Sequence, residues 1–476
     1  MSEASVRNLP AVHTLPARPE LAEALARRGR AAVLRAVREV VEAARRDILS
    51  GRATAIDAGS LARRAAALLD GERPSLRRVL NASGVLLHTG LGRAPLAEEA
   101  LAAVVEAARG YCNLEFELDG GTRGRRSSGV SALVARLTGA EAAAVVNNNA
   151  GATVLALRAL AGGREVVVSR GQLVEIGGSF RLPEILEVSG ARLREVGTTN
   201  KTRIADYERA IGPETGALLR VHPSNYRIVG FTAEASLEEL CGLGRARGLW
   251  VIDDIGSGSL GAGLPPGVAG EPSARAGIAA GADVVLFSGD KLLGGPQCGL
   301  IAGSRRALGL IESDPLMRAL RVDKMTLAAL EATLRLALDA DLAAARIPLW
   351  SFLSVPLARL RERAERLAAG LRDVGLCADR IDAEAYLGGG SVPVEPIATA
   401  AARVRPPFPG CGDSEADWAQ RLRLGDPPVV PRVQGGAVLF DLRAIDERDD
   451  RELLDAIQRS IRATTDCCSD RGDAVW

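Results

Sequence analysis

Short apolar runs alternate with alanine- and leucine-rich segments between residue 76 and about residue 335, and this alternation constrains the fold more than any other feature. The predicted strands of this region are 142–146, 165–170, 217–221, 249–253, 283–288 and 299–303. Continuous apolar strands separated by helices are typical of a mainly parallel sheet that is covered on both faces. Because ligands of such sheets bind at the carboxyl ends of the strands, polar residues that follow a strand are candidates for function.

The sequence before and after this region has other patterns. Residues 18–48 and about 57–70 carry apolar residues at intervals of three or four, which predicts two amphipathic helices. After residue 335, a long arginine-rich helix (357–374) is mixed with short strands and loops rich in proline and glycine. We predict four parts: a helical N-terminal domain with its linker (1–75), a large domain (76–335), a small α+β domain (336–463) and a disordered tail (464–476).

Charge and composition narrow the class of protein. The net charge is +1, but residues 1–75 contribute +4 and the rest −3. This asymmetry fits an RNA-binding arm, although a solvated helical face is its commoner explanation. The seven cysteines are scattered without a CxxC pair and the three histidines lie far apart, so we expect reduced thiols and no metal site. Because no apolar run has the length of a signal peptide or a membrane span, we expect a cytoplasmic protein.

The segment VVLFSGDKLLGGPQCG (284–299) puts a lysine directly after a predicted strand. The chain has only three lysines, Lys201, Lys291 and Lys324, against 57 arginines. Arginine is always charged, whereas a partly buried lysine can lose its proton and act as a neutral amine. Lys291 is therefore a candidate for Schiff-base chemistry, although a surface lysine that ends a strand would give the same pattern.

Pyridoxal phosphate on Lys291 would need partners for its ring, and the sequence offers them at other strand ends. A carboxylate on the ring nitrogen would come from Asp253, with Asp254 as the alternative on the opposite face of the strand. Asn225 is the candidate donor to the 3′-oxygen, and Gln172 is the weaker candidate for the group over the ring.

The cofactor's phosphate also has candidate partners. Ser288 precedes the lysine by three positions, and Asn149, Ala150 and Gly151 follow a strand and open a helix, so their backbone N–H groups are candidate donors. Each residue alone has an ordinary explanation, since an aspartate after a strand is usually a cap and an asparagine run is usually a loop. Their order on consecutive strands is far more specific, and it favours pyridoxal phosphate.

Eight segments resemble one family of fold-type I pyridoxal-phosphate enzymes, the bacterial selenocysteine synthases. They are VLNASGVLLHTGLGRAPL (79–96), AAAVVNNNAGA (142–152), VVVSRGQLVEIGGSFRLPEI (166–185), VGTTNKT (196–202), VHPSNYRIVGFT (221–232), DDIGSGSL (253–260), FSGDKLLGGPQCG (287–299) and RALRVDKMTLAALEATLRL (318–336). The similarity runs from LPAV (9–12) to about residue 460 and is weakest in 375–432. It implies an aspartate-aminotransferase-like α/β fold, with a mainly parallel large domain, a helical N-terminal arm and a small α+β domain.

The resemblance also implies an activity and its residues. Enzymes of this family convert L-seryl-tRNA(Sec) to L-selenocysteinyl-tRNA(Sec), by eliminating water to an aminoacrylate and adding selenium from selenophosphate. The lysine that carries pyridoxal phosphate corresponds to Lys291, and the arginines that hold the donor's phosphate correspond to Arg93, Arg318 and Arg321. The expected partners are seryl-tRNA(Sec), selenophosphate and further copies of the chain, at least as a dimer, with the family suggesting a ring of dimers.

The residues themselves support the arginine pair. Asp314 and Pro315 are typical of a helix start, which would put Arg318 and Arg321 three positions apart on one helix face. Two arginines so arranged suit a phosphate-like dianion, although a salt-bridged helix face is the commoner explanation in an arginine-rich chain. The arginines of 123–126 are further candidates for anion or tRNA contacts, and are equally typical of a solvated loop.

Two alternative functions are weaker. A pyridoxal-phosphate lyase that acts on a small phosphorylated amino compound could share this core, but such relatives typically lack the N-terminal helical arm. A DNA-binding regulator with such a core as its sensor would need a winged recognition domain and a linker. The sequence has two amphipathic helices, no winged pattern and a linker of a few residues, so we expect no DNA partner.

Overall fold

The computed structural model divides the chain into two compact units, Met1–Arg78 and Val79–Trp476. The residues that it describes are 9–50, 57–71, 74–176, 180–223, 225–261, 268, 270–388, 396–408 and 414–462. The predicted disordered tail (464–476) lies outside these residues.

The α-helices in the described residues are numbered in chain order. They are α1 (Ala22–Leu49), α2 (Ala58–Gly71), α3 (Glu98–Arg109), α4 (Ser128–Thr138), α5 (Asn149–Ala161), α6 (Leu182–Ser189), α7 (Ile204–Ala210), α8 (Leu237–Arg247), α9 (Ala274–Ala280), α10 (Arg305–Ser313), α11 (Leu316–Ala319), α12 (Lys324–Leu336), α13 (Ala340–Arg346), α14 (Pro348–Ser354), α15 (Leu357–Arg372), α16 (Glu415–Leu424) and α17 (Asp450–Arg462). Short 3-10 helices occur at Leu15–Ala17, Pro19–Leu21, Thr89–Leu91, Arg170–Gln172 and Glu447–Asp449.

The strands are numbered in the same way. They are β1 (Leu80–Ala82), β2 (Phe116–Glu117), β3 (Thr122–Arg123), β4 (Ala142–Val146), β5 (Glu165–Ser169), β6 (Glu175–Ile176), β7 (Phe180–Arg181), β8 (Arg192–Val196), β9 (Thr215–Val221), β10 (Trp250–Gly256), β11 (Val284–Ser288), β12 (Gly299–Gly303), β13 (Cys377–Ala385), β14 (Ile397–Arg405), β15 (Val429–Gln434) and β16 (Ala437–Asp441).

The N-terminal unit is built from the two predicted amphipathic helices, α1 and α2. Their apolar faces form one buried cluster, in which Val33, Val37 and Val41 of α1 meet Leu61 and Leu69 of α2. The arginines of α1 lie mostly on its exposed side. None of the helices in the described ranges is long and apolar enough to cross a membrane.

The second unit contains a seven-stranded sheet in the order β4-β12-β11-β10-β9-β5-β8. Six of its strands run in one direction, and β12 runs antiparallel to both of its neighbours, β11 and β4. All six predicted strands belong to this sheet. The seventh, β8, escaped prediction because its sequence RLREV is polar, and this is tolerated because β8 pairs on one side only, at the sheet edge.

Helices cover both faces of this sheet, as the continuous apolar strands predict. Val251 of β10 belongs to the buried cluster shared with α4, α8, α9 and α12, whereas Ile252 belongs to the cluster shared with α5, α6 and α10. Successive residues of β10 therefore point alternately to the two layers. This alternation decides which layer each polar residue at the strand end faces.

A five-stranded, mostly antiparallel sheet in the order β1-β15-β16-β14-β13 forms the C-terminal part. Its buried cluster includes α15, α16 and α17, with the ring of Trp418 stacked 5.0 Å from that of Phe408. β1 pairs in parallel with β15, so residues 80–82, which the sequence assigned to the large domain, complete the smaller sheet.

Candidate active site

Lys291 follows β11, and its side chain is buried. Burial, reinforced by the nearby positive charge of Arg93, lowers the pKa of the Lys291 amine to about 8. The carboxylates of Asp254, Asp290 and Glu271 oppose this shift. Part of the amine is therefore neutral near neutral pH, which a nucleophilic or basic lysine requires.

The two aspartates near the end of β10 have different partners. Asp254 accepts hydrogen bonds from Asn149 Nδ2 and Thr153 Oγ1, each at 2.9 Å, and burial raises its pKa. Asp253 accepts from Arg220 Nη1 at 3.1 Å, and burial raises its pKa to about 6. Asp253 thus has a cationic hydrogen-bond donor, whereas the donors to Asp254 are neutral. A protonated ring nitrogen would supply the missing cation, so the geometry favours the alternative, Asp254, over Asp253 as its partner.

Gly256 brings Lys291 and Asp254 to one space. Its φ is +60°, and a Cβ atom on it would lie 3.8 Å from Lys291 Nζ and 4.0 Å from Asp254 Oδ1. The amine and the carboxylate therefore border the volume that the missing side chain leaves open. The sequence prediction did not include this glycine, although DDIGSGS marked its position.

The predicted phosphate cradle lies at the start of α5. Asn148 caps the helix, its side chain accepting from the N–H of Gly151 at 2.8 Å. The backbone N–H of Gly151 is therefore already hydrogen-bonded, and the backbone N–H groups of Asn149 and Ala150 can bind a ligand. These donors lie at the positive end of the helix dipole, which favours an anion.

The other predicted cofactor contacts differ in position. Ser288 is buried at the end of β11, three residues before the lysine. Gln172 is also buried, with its Nε2 donating to Glu234 Oε1 at 2.6 Å and its Oε1 accepting from the N–H of Val221 at 3.1 Å. Asn225 is exposed and donates to the carbonyl oxygen of Glu175 at 2.7 Å, so it is held by another loop.

His222, which the sequence prediction passed over, occupies the position directly after β9. Its backbone N–H donates to the carbonyl oxygen of Asp254 at 2.9 Å, and its ring Nε2 lies 3.8 Å from Glu271 Oε1. The signal that could have indicated it is its place in the HPSN segment, directly after the strand. His222 and Glu271 thus extend the site beyond the predicted residues.

Arg93 is held near Lys291 by an ion pair with Asp290. Its Nη1 donates to both carboxylate oxygens of Asp290, at 3.1 and 3.0 Å, and Asp290 directly precedes Lys291. Among the described non-glycine residues, Arg93 alone has a positive φ, +63°. Such a backbone is unfavourable for arginine and is held by the surrounding structure.

Arg318 and Arg321 line a separate cleft of about 610 Å³, together with residues 123–126. The expectation that both share one helix face is wrong, because α11 ends at Ala319 and Arg321 follows it. Arg321 Nη1 lies 3.6 Å from Glu115 Oε1, which also accepts from the guanidinium of Arg126. The arginine pair therefore belongs to a cluster that neither Arg93 nor Lys291 lines.

Some buried polar atoms in the segments near the lysine have no hydrogen-bond partner, and a bound cofactor would supply one. Within the described residues, Ser257 Oγ, Ser259 Oγ and Asn149 Oδ1 are buried and make no hydrogen bond. The N–H of Leu292 donates to the carbonyl oxygen of Ser257 at 2.9 Å, so this segment lies against the lysine loop. An unpaired buried hydroxyl costs about 1–3 kcal/mol. The amine, carboxylate, helix terminus and hydroxyls together suit pyridoxal phosphate.

Comparison with known proteins gives the family. Residues 79–446 match the family model described as L-seryl-tRNA selenium transferase, and residues 6–45 match that for the selenocysteine synthase N terminus. The chain belongs to the L-seryl-tRNA selenium transferase family. This membership confirms the predicted family and its pyridoxal phosphate cofactor.

Individual members of the L-seryl-tRNA selenium transferase family are similar over nearly the whole chain. The L-seryl-tRNA(Sec) selenium transferase of Moorella thermoacetica is 48% identical over 460 residues, which cover 96% of this chain and 97% of that protein. The protein of the same name from Solidesulfovibrio magneticus is 49% identical over 423 residues, 87% of this chain and 90% of that protein.

The fold also has a solved counterpart. D-glucosaminate-6-phosphate ammonia-lyase aligns with a TM-score of 0.57 and 22% identity, over 82% of this chain and 97% of that chain. At this identity the likeness shows the fold alone. It agrees with the predicted fold-type I class.

Proposed function

We propose that this protein converts L-seryl-tRNA(Sec) to L-selenocysteinyl-tRNA(Sec), with selenophosphate as the selenium donor. The observation that carries the proposal is the similarity to enzymes of that name, 48% identity over 96% of the chain. The buried lysine at the carboxyl edge of the sheet supports it. We further propose that the enzyme works in the cytoplasm as a homo-oligomer, at least a dimer.

The residues that would hold pyridoxal phosphate follow from the site. Lys291 would bind it covalently, Asp254 would face the ring nitrogen, and Ser288 with the N–H groups of Asn149 and Ala150 would bind the phosphate. When bound, pyridoxal phosphate draws electrons from the Cα of an attached amino acid and makes its proton acidic.

Lys291 supplies the proton chemistry. With a pKa of about 8, part of the amine is neutral near neutral pH and can accept the Cα proton of the seryl group. The proton then leaves with the β-hydroxyl as water, so the elimination needs no net acid or base. Selenium from selenophosphate adds afterwards at the Cβ that the hydroxyl has left, and Lys291 can return a proton to Cα. Water takes the phosphorus side as the phosphorus–selenium bond breaks, so phosphate is the other product.

Arginines would hold the selenium donor. Arg93 is the one beside Lys291, where its guanidinium is engaged by Asp290. A phosphate-like dianion would compete with that carboxylate for the guanidinium. Arg318, which has no carboxylate partner among the described residues, and Arg321 are the second candidate anion site.

The small-substrate lyase has less support. The solved ammonia-lyase is evidence for the fold only, whereas the match of residues 6–45 to the selenocysteine synthase N terminus extends to the helical arm. The arm therefore favours the tRNA substrate.

Separation of the two half-reactions tests the proposal. Wild type, given seryl-tRNA(Sec) and selenophosphate, should form selenocysteinyl-tRNA(Sec), whereas an inactive wild type would contradict the function. Because the elimination needs no donor, the variant with Arg318→Ala and Arg321→Ala should still release the serine hydroxyl but add selenium poorly. Each single variant loses one charge-assisted bond to the donor, which is worth about 1.5–3 kcal/mol. The donor concentration that half-saturates the enzyme should therefore rise roughly ten- to hundredfold in each single variant. Failure of the elimination in the double variant would assign the two arginines to tRNA binding or to the fold.

A further inference from the structure

The lysine loop, residues 289–298, is a series of bends and turns that joins β11 to β12. Leu292, which directly follows the lysine, has both of its backbone groups bonded to residues outside this loop. Its N–H donates to the carbonyl oxygen of Ser257 at 2.9 Å, and its carbonyl oxygen accepts from the indole Nε1 of Trp350 at 2.8 Å. These two bonds fix the peptide next to Lys291, so they also fix where the lysine side chain starts.

Trp350 belongs to α14, which packs against the lysine loop. The tryptophan is 2% exposed, and an indole N–H is a donor that needs a partner when it is buried. Ile347, directly before α14, makes a second contact, because a Cβ atom on Gly294 would lie 2.3 Å from its Cγ2. The helix therefore meets the loop both by a hydrogen bond and by close packing.

Arg443 anchors the other end of α14. It is buried, and its Nη1 donates to the carbonyl oxygen of Phe352 at 2.9 Å. Its Nη2 donates to the carbonyl oxygen of Ala398 in β14, a strand of the smaller sheet. Because a guanidinium is planar and rigid, the two bonds hold the helix end and that strand in a fixed relation. The support of the lysine loop thus extends to the smaller sheet.

We propose that Trp350 is a positioning residue for Lys291. Its indole N–H holds the peptide that follows the lysine, and α14 keeps the indole in place. Without this donor, the carbonyl oxygen of Leu292 would be buried and unpaired, and the loop would move towards water to hydrate it. The inference rests on the proposed role of Lys291 and adds to it the residue that keeps the amine in its buried position.

The alternative is that Trp350 serves only to fill the core, and Trp418 provides the matched comparison. Trp418 is also buried, and its Nε1 donates to Ser460 Oγ at 3.0 Å. Its ring packs in the core of the smaller sheet, and its partner is a side chain of α17. Trp350→Phe and Trp418→Phe thus remove the same group from two buried rings, but only the first of these bonds ends on the lysine loop.

Acylation of the amine in the cofactor-free protein tests this role. Acetic anhydride reacts with neutral amines, and Lys201 and Lys324 are the internal references in a chain with three lysines. Peptide mass spectrometry across a pH series should give wild-type Lys291 a midpoint near pH 8. In Trp350→Phe the midpoint should rise towards 10.5, because the displaced amine is more hydrated. The affinity of this variant for pyridoxal phosphate should fall roughly tenfold, whereas Trp418→Phe should match wild type in both measurements.

The comparison leaves the charges around the amine unchanged. The charged groups near Lys291 are Arg93, Asp254, Asp290 and Glu271, and neither tryptophan substitution alters any of them. Because tryptophan and phenylalanine are both uncharged, a shifted midpoint reports the position and hydration of the amine.

An unchanged Lys291 midpoint in a folded Trp350→Phe would overturn the inference. Equal rises in both tryptophan variants would also overturn it, by showing a general loosening of the fold. If thermal unfolding shows that Trp350→Phe does not fold, Arg443→Lys decides, because lysine keeps the charge but loses the planar fork that anchors α14. A raised midpoint in Arg443→Lys would then support the inference, and an unchanged one would overturn it. The assay needs neither tRNA nor a selenium donor, so failure of the proposed function would not change its result.

Discussion

At the scale of single residues, burial sets the charge states of this site. It disfavours the charged forms of both Lys291 and Asp254, lowering the pKa of the amine and raising that of the carboxyl. Both groups border the space left by Gly256, so each charge also offsets part of the other's cost. The desolvation that costs stability is therefore what makes the amine available for chemistry.

Lys291→Met should stabilise the cofactor-free protein near neutral pH, because methionine fills similar space without a buried charge. The folded pKa of about 8 lies below the unfolded value of 10.5, so the unfolded state binds more protons within that window. Wild type therefore gains stability as pH rises through the window, by about 3 kcal/mol, and the advantage of the variant should shrink accordingly. Urea unfolding at several pH values measures this, and a pH-independent difference would contradict it.

The two aspartates should respond differently to substitution. Asp254→Asn should weaken pyridoxal phosphate binding roughly ten- to hundredfold, because a charge-assisted bond of about 1.5–3 kcal/mol is lost. Asp253→Asn should preserve cofactor affinity and change the free energy of unfolding only slightly, because burial already disfavours the charged Asp253 and Arg220 Nε also lies 4.0 Å from Glu234 Oε1. Absorbance titration and urea unfolding measure the two effects. A larger loss of cofactor affinity in Asp253→Asn would reverse the assignment.

The sequence predicted the lysine and the strand ends because order along the chain determines them. It could not choose between Asp253 and Asp254, since adjacent residues face opposite layers and only the packed helices distinguish those layers. β9 ends at Val221, so His222 rather than Asn225 directly follows the strand. Such choices depend on tertiary contacts that a strand pattern does not contain.

At the scale of elements, the start of α5 depends on a neighbouring strand. A Cβ atom on Gly299 of β12 would lie 2.2 Å from the carbonyl oxygen of Asn148 and 2.9 Å from the N of Asn149. The close approach of β12 therefore requires glycine and fixes the helix terminus that would bind phosphate. The predicted cradle is thus supported by a strand about 150 residues away in the chain.

Gly299→Ala should displace this helix terminus. The added methyl group meets backbone atoms that cannot move independently, so we expect a stability loss of about 1–3 kcal/mol and weaker cofactor binding. Gly309→Ala within α10 is the matched control, because no atom lies within 4 Å of its added Cβ. It should stabilise the helix by about 0.5–1 kcal/mol. Thermal unfolding with and without pyridoxal phosphate compares them, and equal stabilities would contradict the argument.

Elements with strong apolar periodicity were predicted well, and polar or very short ones were not. The six apolar strands form the large sheet, whereas β8 was missed because an edge strand needs few apolar residues. α11 has only four residues, too few for a start pattern at Asp314 and Pro315 to extend to Arg321. The sequence pattern of a buried element is enough to predict it, whereas β8 and α11 depend on contacts with residues distant in the chain.

At the scale of the whole molecule, the chain divides into a helical unit and a unit with both sheets. The first has its own apolar core between α1 and α2, and the second contains every residue of the candidate site. The division falls between Arg78 and Val79, and the predicted boundary lies at residue 75. Binding of the tRNA body and chemistry at its 3′ end can therefore be tested separately.

Removal of Met1–Arg78 should leave a folded second unit that still binds pyridoxal phosphate, because both sheets and Lys291 remain. If the arginines of the arm contact tRNA phosphates, affinity for tRNA(Sec) should fall, and the slope of log affinity against log salt should flatten by about 0.9 for each lost duplex contact. Filter binding at several salt concentrations measures both, with absorbance of the bound cofactor as the test of folding. A truncated protein that keeps its cofactor and binds tRNA(Sec) with unchanged affinity and salt slope would contradict the role of the arm and restore the small-substrate lyase as the leading alternative.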